Sequence, residues 1–115
     1  MKKNILISLV VLLLISGCTT TEIPVDVVEP ILTTVTYETD VKTIINNNCI
    51  SCHISGGQAS FLSLVNYTQV RTSAESGTLI ESMNDVADPM PQSGLLSAQT
   101  RAVIDAWKAD GFLEN

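Results

Sequence analysis

Cys49-Ile50-Ser51-Cys52-His53 places two thiols and an imidazole within five residues. In a helical turn, positions i, i+3 and i+4 share one face. Cys49, Cys52 and His53 can therefore all address one flat partner. His53 is the single histidine of the chain, so no other residue offers an imidazole. Three plainer uses of the stretch fit less well. A thioredoxin-like C-x-x-C sits in a βαβ context, and no such alternation surrounds it. A structural zinc site takes four ligands, and only Cys49, Cys52 and His53 are at hand. A Cys49–Cys52 disulfide leaves His53 without a role.

C-x-x-C-H is the attachment signature of a c-type haem. Two thiols add across the two porphyrin vinyl groups as thioethers. The histidine that follows at once swings under the iron as proximal ligand. The expected cofactor is one haem c, covalent through Cys49 and Cys52.

The 115 residues allow one domain at most. Six Lys and Arg stand against twelve Asp and Glu, which argues against nucleic acid, a partner that wants a basic face. Aromatics are only 4% of the chain, so a large self-sufficient aromatic core is not expected. A domain this small usually needs a staple, and a covalent haem is one.

Residues 1–17 have the pattern of a signal peptide. Lys2 and Lys3 form the charged end, and Ile5 to Ile15 form an apolar run. That run is shorter than the ~20 residues a spanning helix takes. Leu14-Ile15-Ser16-Gly17-Cys18 resembles a bacterial lipobox. The resemblance implies cleavage before Cys18 and lipidation of Cys18 as the new first residue, giving an exported protein anchored to a bacterial membrane. Two or more acyl chains anchor stably where one is marginal. The alternative is an ordinary secretory signal with Cys18 free. Loss of Lys2 and Lys3 leaves four basic residues against twelve acidic ones, so the formal charge moves from −6 to −8.

Residues 18–36 form the lipidated N-terminus and a tether. They are rich in Thr and Val, contain Pro24 and Pro30, and show no helical period. Residues 19–36 would reach roughly 60 Å extended and about 25 Å as a coil. The competing expectation is a short strand through Ile23, Val25 and Val27.

The domain is expected over residues 37–115, all-α. Val41, Ile44, Ile45 and Asn48 fall on one helical stripe that leads into Cys49, with Thr39 or Asp40 as its cap. Ser55-Gly56-Gly57 breaks the chain into a loop. The apolar residues Phe61, Leu62, Leu64 and Val65 are placed to cover a haem edge. Short helices follow over Asn66–Ala74, capped by Asn66, and over Thr78–Met83. Arg71 is in reach of a haem propionate or, more simply, solvated. A loop from Asn84 to Leu96 precedes a last helix, capped by Ser97 and running to about Asp110. Val103, Ile104 and Trp107 line its inner face, and Gly111 stands at its C-terminal stop. Phe112 and Leu113 fold back onto that stop.

An iron held by His53 has a second axial position, which Met90 or Met83 could fill. Pro89 and Pro91 flank Met90 and stiffen it into an extended strap outside any helix. Met83 lies in a helix at a packing position. Met90 is the expected ligand; Met83 or an open site are the alternatives.

An amphipathic helix entering C-x-x-C-H, a later Met-Pro strap and a final helix with a tryptophan resemble a class I c-type cytochrome, over about residues 37 to 113. The resemblance implies a small monohaem domain wrapped around its haem, with first and last helices crossing, so that Val41, Ile44 and Ile45 meet Val103, Ile104 and Trp107. The first helix departs from many relatives in showing no aromatic. The implied function is one-electron transfer with His53 and Met90 on the iron, not an enzyme reaction, and no small-molecule substrate is expected. Redox partner proteins with a basic docking patch would suit the acidic surface. The haem domain would lie on the periplasmic or outer side. The alternatives are a peroxidase-like haem enzyme or a ligand-sensing haem module with an open iron site, and a structural lipoprotein without haem.

Overall fold

The computed structural model describes residues 26–115. Residues 1–25, on which the expected signal peptide, the lipidation at Cys18 and the start of the tether fall, lie outside the described residues. The protein is all-α, with no strand among the described residues. A π-helical turn, Tyr37–Val41, runs directly into α1, Lys42–Asn48. Then follow α2, Tyr67–Glu75, α3, Thr78–Asn84, and α4, Ala98–Ala109. Among the described residues no helix is long and apolar enough to cross a membrane.

The first helix starts earlier than its stripe suggested, and its cap is Thr36 rather than Thr39 or Asp40. Thr36 is extended, and its hydroxyl accepts from the Thr39 amide at 3.4 Å. The Asp40 carboxylate returns to accept from the Thr36 amide at 2.9 Å. This is the reciprocal logic of a capping box. Starting at Tyr37 changes the buried stripe. Tyr37, Val41 and Ile45, four residues apart, are all at most 2% exposed, while Ile44 and Asn48 are half-buried. Tyr37 thus supplies the aromatic that the first helix had been expected to lack.

Tyr37 meets the last helix. Its ring lies 6.1 Å from Trp107 and 5.5 Å from Tyr67. Trp107 is fully buried beside Ile104. The π-helical turn packs on α4, α2 packs on α3, and α3 packs on α4. One apolar core results, joining Val35, Tyr37, Val41, Ile45, Leu64, Val70, Leu79, Met83, Ile104 and Trp107.

The predicted caps of α2 and α4 are present. Asn66 Oδ1 accepts from the Gln69 amide at 3.0 Å, and Ser97 Oγ from the Thr100 amide at 3.1 Å. Each satisfies a first-turn donor that has no partner within its helix. At the other end of α4, Gly111 adopts φ +84°. Its amide donates to the Lys108 carbonyl, and the Phe112 amide donates to the Trp107 carbonyl at 2.8 Å. That pair of bonds is a Schellman stop. Phe112 itself has φ +59°, and its ring packs edge-on against Trp107 at 5.0 Å.

The chain end then returns to the first helix. Tyr37 and Glu38 amides donate to the Leu113 and Glu114 carbonyls at 2.9 and 3.0 Å. Trp107 Nε1 donates to the same Leu113 carbonyl at 2.8 Å. Two otherwise orphaned helix-start donors and a buried indole are satisfied by a tail of three residues.

The described part of the 18–36 stretch lies along α4. Asp26 Oδ2 accepts from the Ala98 amide at 2.7 Å, and the Val35 amide donates to Asp110 Oδ2 at 2.7 Å. Ile31 and Val35 pack onto the core. Val27 is 62% exposed and in no strand.

Candidate functional site

The site begins where α1 stops. The Cys49 amide still donates to the Ile45 carbonyl at 2.9 Å, closing the last helical bond. The chain then makes one separate turn. The Cys52 and His53 amides both donate to the Cys49 carbonyl, at 3.2 and 3.0 Å. The i to i+4 bond sets His53 one turn beyond Cys49, as the spacing requires. Both thiols are free and half-buried. Burial pushes the Cys49 thiol up to about 11, opposite to the lowered values of redox-active cysteines.

After His53 the chain loops out and returns. Gly56 adopts φ +81°, and a Cβ on Gly57 would collide with the Cys52 carbonyl. Only glycine allows that approach. It lets the Ala59 amide donate to the Cys52 carbonyl at 3.0 Å. The loop closes on His53 from both sides. The Leu64 amide donates to the His53 carbonyl at 3.0 Å, and His53 Nδ1 lies 2.8 Å from the Leu62 carbonyl. A carbonyl can only accept, so Nδ1 carries the proton and donates. In the neutral ring the lone pair is left on Nε2.

Of the apolar run expected to cover the site, Leu64 is buried and Leu62 half-buried, while Phe61 is 89% exposed and Val65 also faces out. Arg71 is held within its own helix, on Glu75 at 2.8 Å and the Tyr67 hydroxyl at 2.9 Å.

The two methionines have different settings. Met83 is 4% exposed and belongs to the core. Met90 is half-buried on the segment between α3 and α4. Its amide donates to the Ser82 carbonyl at 2.9 Å, which docks the strap on the last turn of α3. Asp85 Oδ1 starts the strap by accepting from the Ala87 and Asp88 amides.

Comparison with protein-family models, curated proteins and solved structures finds no match to this chain.

Among the described residues no three or more His, Cys, Asp and Glu side chains gather to hold a metal ion. A cleft of about 240 Å³ lies elsewhere, lined by Tyr37, Glu38, Lys42, Tyr67 and Glu114 among others, and by none of Cys49, Cys52, His53 or Met90. Gly57 was read from sequence as part of the loop break, but its approach to the Cys52 carbonyl and the role of the Leu62 carbonyl were missed. Gly57 left a signal, a glycine four residues after His53. The Leu62 carbonyl left none, because a backbone oxygen has no letter of its own.

Proposed function

We propose that the chain is an exported, membrane-anchored monohaem c-type cytochrome that carries single electrons. One haem would be held through Cys49 and Cys52, with His53 and Met90 as the axial ligands of its iron. The single observation that carries this reading is the fixed imidazole. His53 directly follows the two thiols, and its Nδ1–H is spent on the Leu62 carbonyl. Ligating histidines characteristically donate their other ring nitrogen in this way, which orients the ring and raises its basicity.

The rest of the donor set fits a haem. The thiols are free and sit on one turn, and Gly57 lets the following loop pack against the Cys52 carbonyl. Met83 is committed to the core, so Met90 on its strap is the methionine left for ligation. When bound, haem supplies a metal centre that changes oxidation state by one electron; His53 and Met90 together favour a higher potential than two histidines. Cys49 and Cys52 would hold the group, and the Leu62 carbonyl would keep His53 oriented toward it. No proton transfer is asked of them. An anchor at Cys18 would keep the acidic domain near a membrane, and a partner with a basic patch would dock fastest.

The test is the exported protein itself. It should be red, and its haem should stay on the chain through a denaturing gel. The Cys49→Ala, Cys52→Ala double variant should lose the haem, and Cys18→Ser should leave the membrane fraction. A colourless parent protein that is stably folded would overturn the haem reading.

A further inference from the structure

The strap that carries Met90 is bounded by Asn84, the last residue of α3, and Leu96, just before the cap of α4. Arg101, one turn into α4, touches both ends. Its Nη1 donates to Asn84 Oδ1 at 2.7 Å, and its Nε donates to the Leu96 carbonyl at 3.1 Å. The guanidinium is planar and its donors are fixed relative to one another. Two bonds from one rigid fork therefore set the span between the two ends. Asn84 is itself oriented, since its Nδ2 donates to the Ile80 carbonyl at 2.9 Å. Of the other strap bonds, Ala87 and Asp88 to Asp85 and Gly94 to Pro91 are local, and Met90 to the Ser82 carbonyl ties the strap to α3 alone, so none of them joins its two ends.

The choice of partners is informative. Twelve acidic residues are present in the chain, and Lys42 and Arg71 each pair with one of them. Among the described residues Arg101 pairs with no carboxylate. It is spent on a neutral amide and a main-chain carbonyl, the two groups that define the strap ends. A charged donor makes such bonds stronger than a neutral one would.

We infer that Arg101 is a positioning residue. It clamps the mouth of the Met90 strap and so holds the thioether where the iron would meet it. The inference rests on the reading of Met90 as axial ligand. A thioether is a weak ligand whose bond depends on preorganisation. Loosening the clamp should raise the rate at which the strap opens without removing any ligand atom.

The experiment uses the full-length haem-loaded protein. In Arg101→Gln, hydrogen exchange of the Met90 amide should rise by about tenfold or more, as expected for the loss of one or two such bonds. At saturating imidazole, binding to the oxidised protein is limited by strap opening, and its rate should rise by the same factor. Amides in α2 should be unchanged. Asn84→Ala, which removes one anchor, should move both readouts the same way by less, and it serves if Arg101→Gln folds poorly. Arg71→Gln, which removes a guanidinium from α2, should move neither. Met90 exchange and imidazole rates equal to the parent in both Arg101→Gln and Asn84→Ala would overturn the clamp. A parent lacking the sulfur-to-iron band would instead overturn Met90 as ligand, and the Met90 amide would still decide whether Arg101 holds the strap.

Discussion

Truncating the two methionines separately is the sharpest test of the site, because the fold gives them different settings. Met83 is 4% exposed and packed among Val41, Ile45, Leu79 and Ile104 in one core. Cutting it to alanine removes three heavy atoms from a close-packed interior and leaves a cavity. Such changes cost about 2–5 kcal/mol. In a domain of this size that lowers the melting temperature by on the order of 10 °C or more. Met90 is half-buried, and what docks it is its backbone amide on Ser82, which alanine keeps. Met90→Ala should therefore cost the bare fold less than the ~2–5 kcal/mol of a fully buried truncation. Its effect should fall on the iron. The weak near-infrared sulfur-to-iron band of the oxidised protein should vanish, the potential should fall, and the reduced protein should bind carbon monoxide. Met83→Ala should keep the band while melting early. Thermal unfolding and near-infrared absorption of the two variants, side by side, give the answer. A band that survives Met90→Ala and disappears in Met83→Ala would refute the assignment.

Two further outcomes follow from other parts of the fold. Gly57→Ala should push the loop off the Cys52 carbonyl, at a cost of about 1–3 kcal/mol for overpacking, and should lower the haem-to-protein ratio of the exported chain; a normal ratio and unchanged stability would show that the loop yields cheaply. Burial pushes the Tyr37 phenol above its ordinary 10.0, with Lys42 opposing and Glu38 adding; its stabilising contribution is fully present below pH 10 and is lost as pH rises through the folded-state value, so urea midpoints should fall less steeply above pH 10 in Tyr37→Phe than in the parent.

Much of the helical frame could be read from single residues. Asn66 and Ser97 combine a short acceptor side chain with a following helical stretch, and Gly111 ends a stretch that Trp107 anchors. Those signals are local, so tertiary packing had little to change. The start of the first helix was misread for a local reason as well. Thr36, Thr39 and Asp40 can all cap, and the stripe counted from Val41 gave no reason to look upstream. Only burial of Tyr37 against Trp107, at the far end of the chain, selects Thr36. The Cys49, Cys52 and His53 turn was legible because its spacing is covalently short. The grip on His53 and the reach of Arg101 were not. Both depend on where a loop brings a backbone carbonyl, and residue types carry no record of that.

The shared carbonyl of Leu113 also has a meaning in time. It accepts from Tyr37 at the start of the domain and from Trp107 in the last helix. A chain that emerges from the ribosome amino end first has made the C-x-x-C-H turn long before it makes Leu113. Until those final residues arrive, the first helix lacks its roof and the aromatic end of the core cannot close. Contacts this distant in sequence form slowly even after synthesis is done. Until the ends of the domain meet, the two thiols and the imidazole are borne on an open chain.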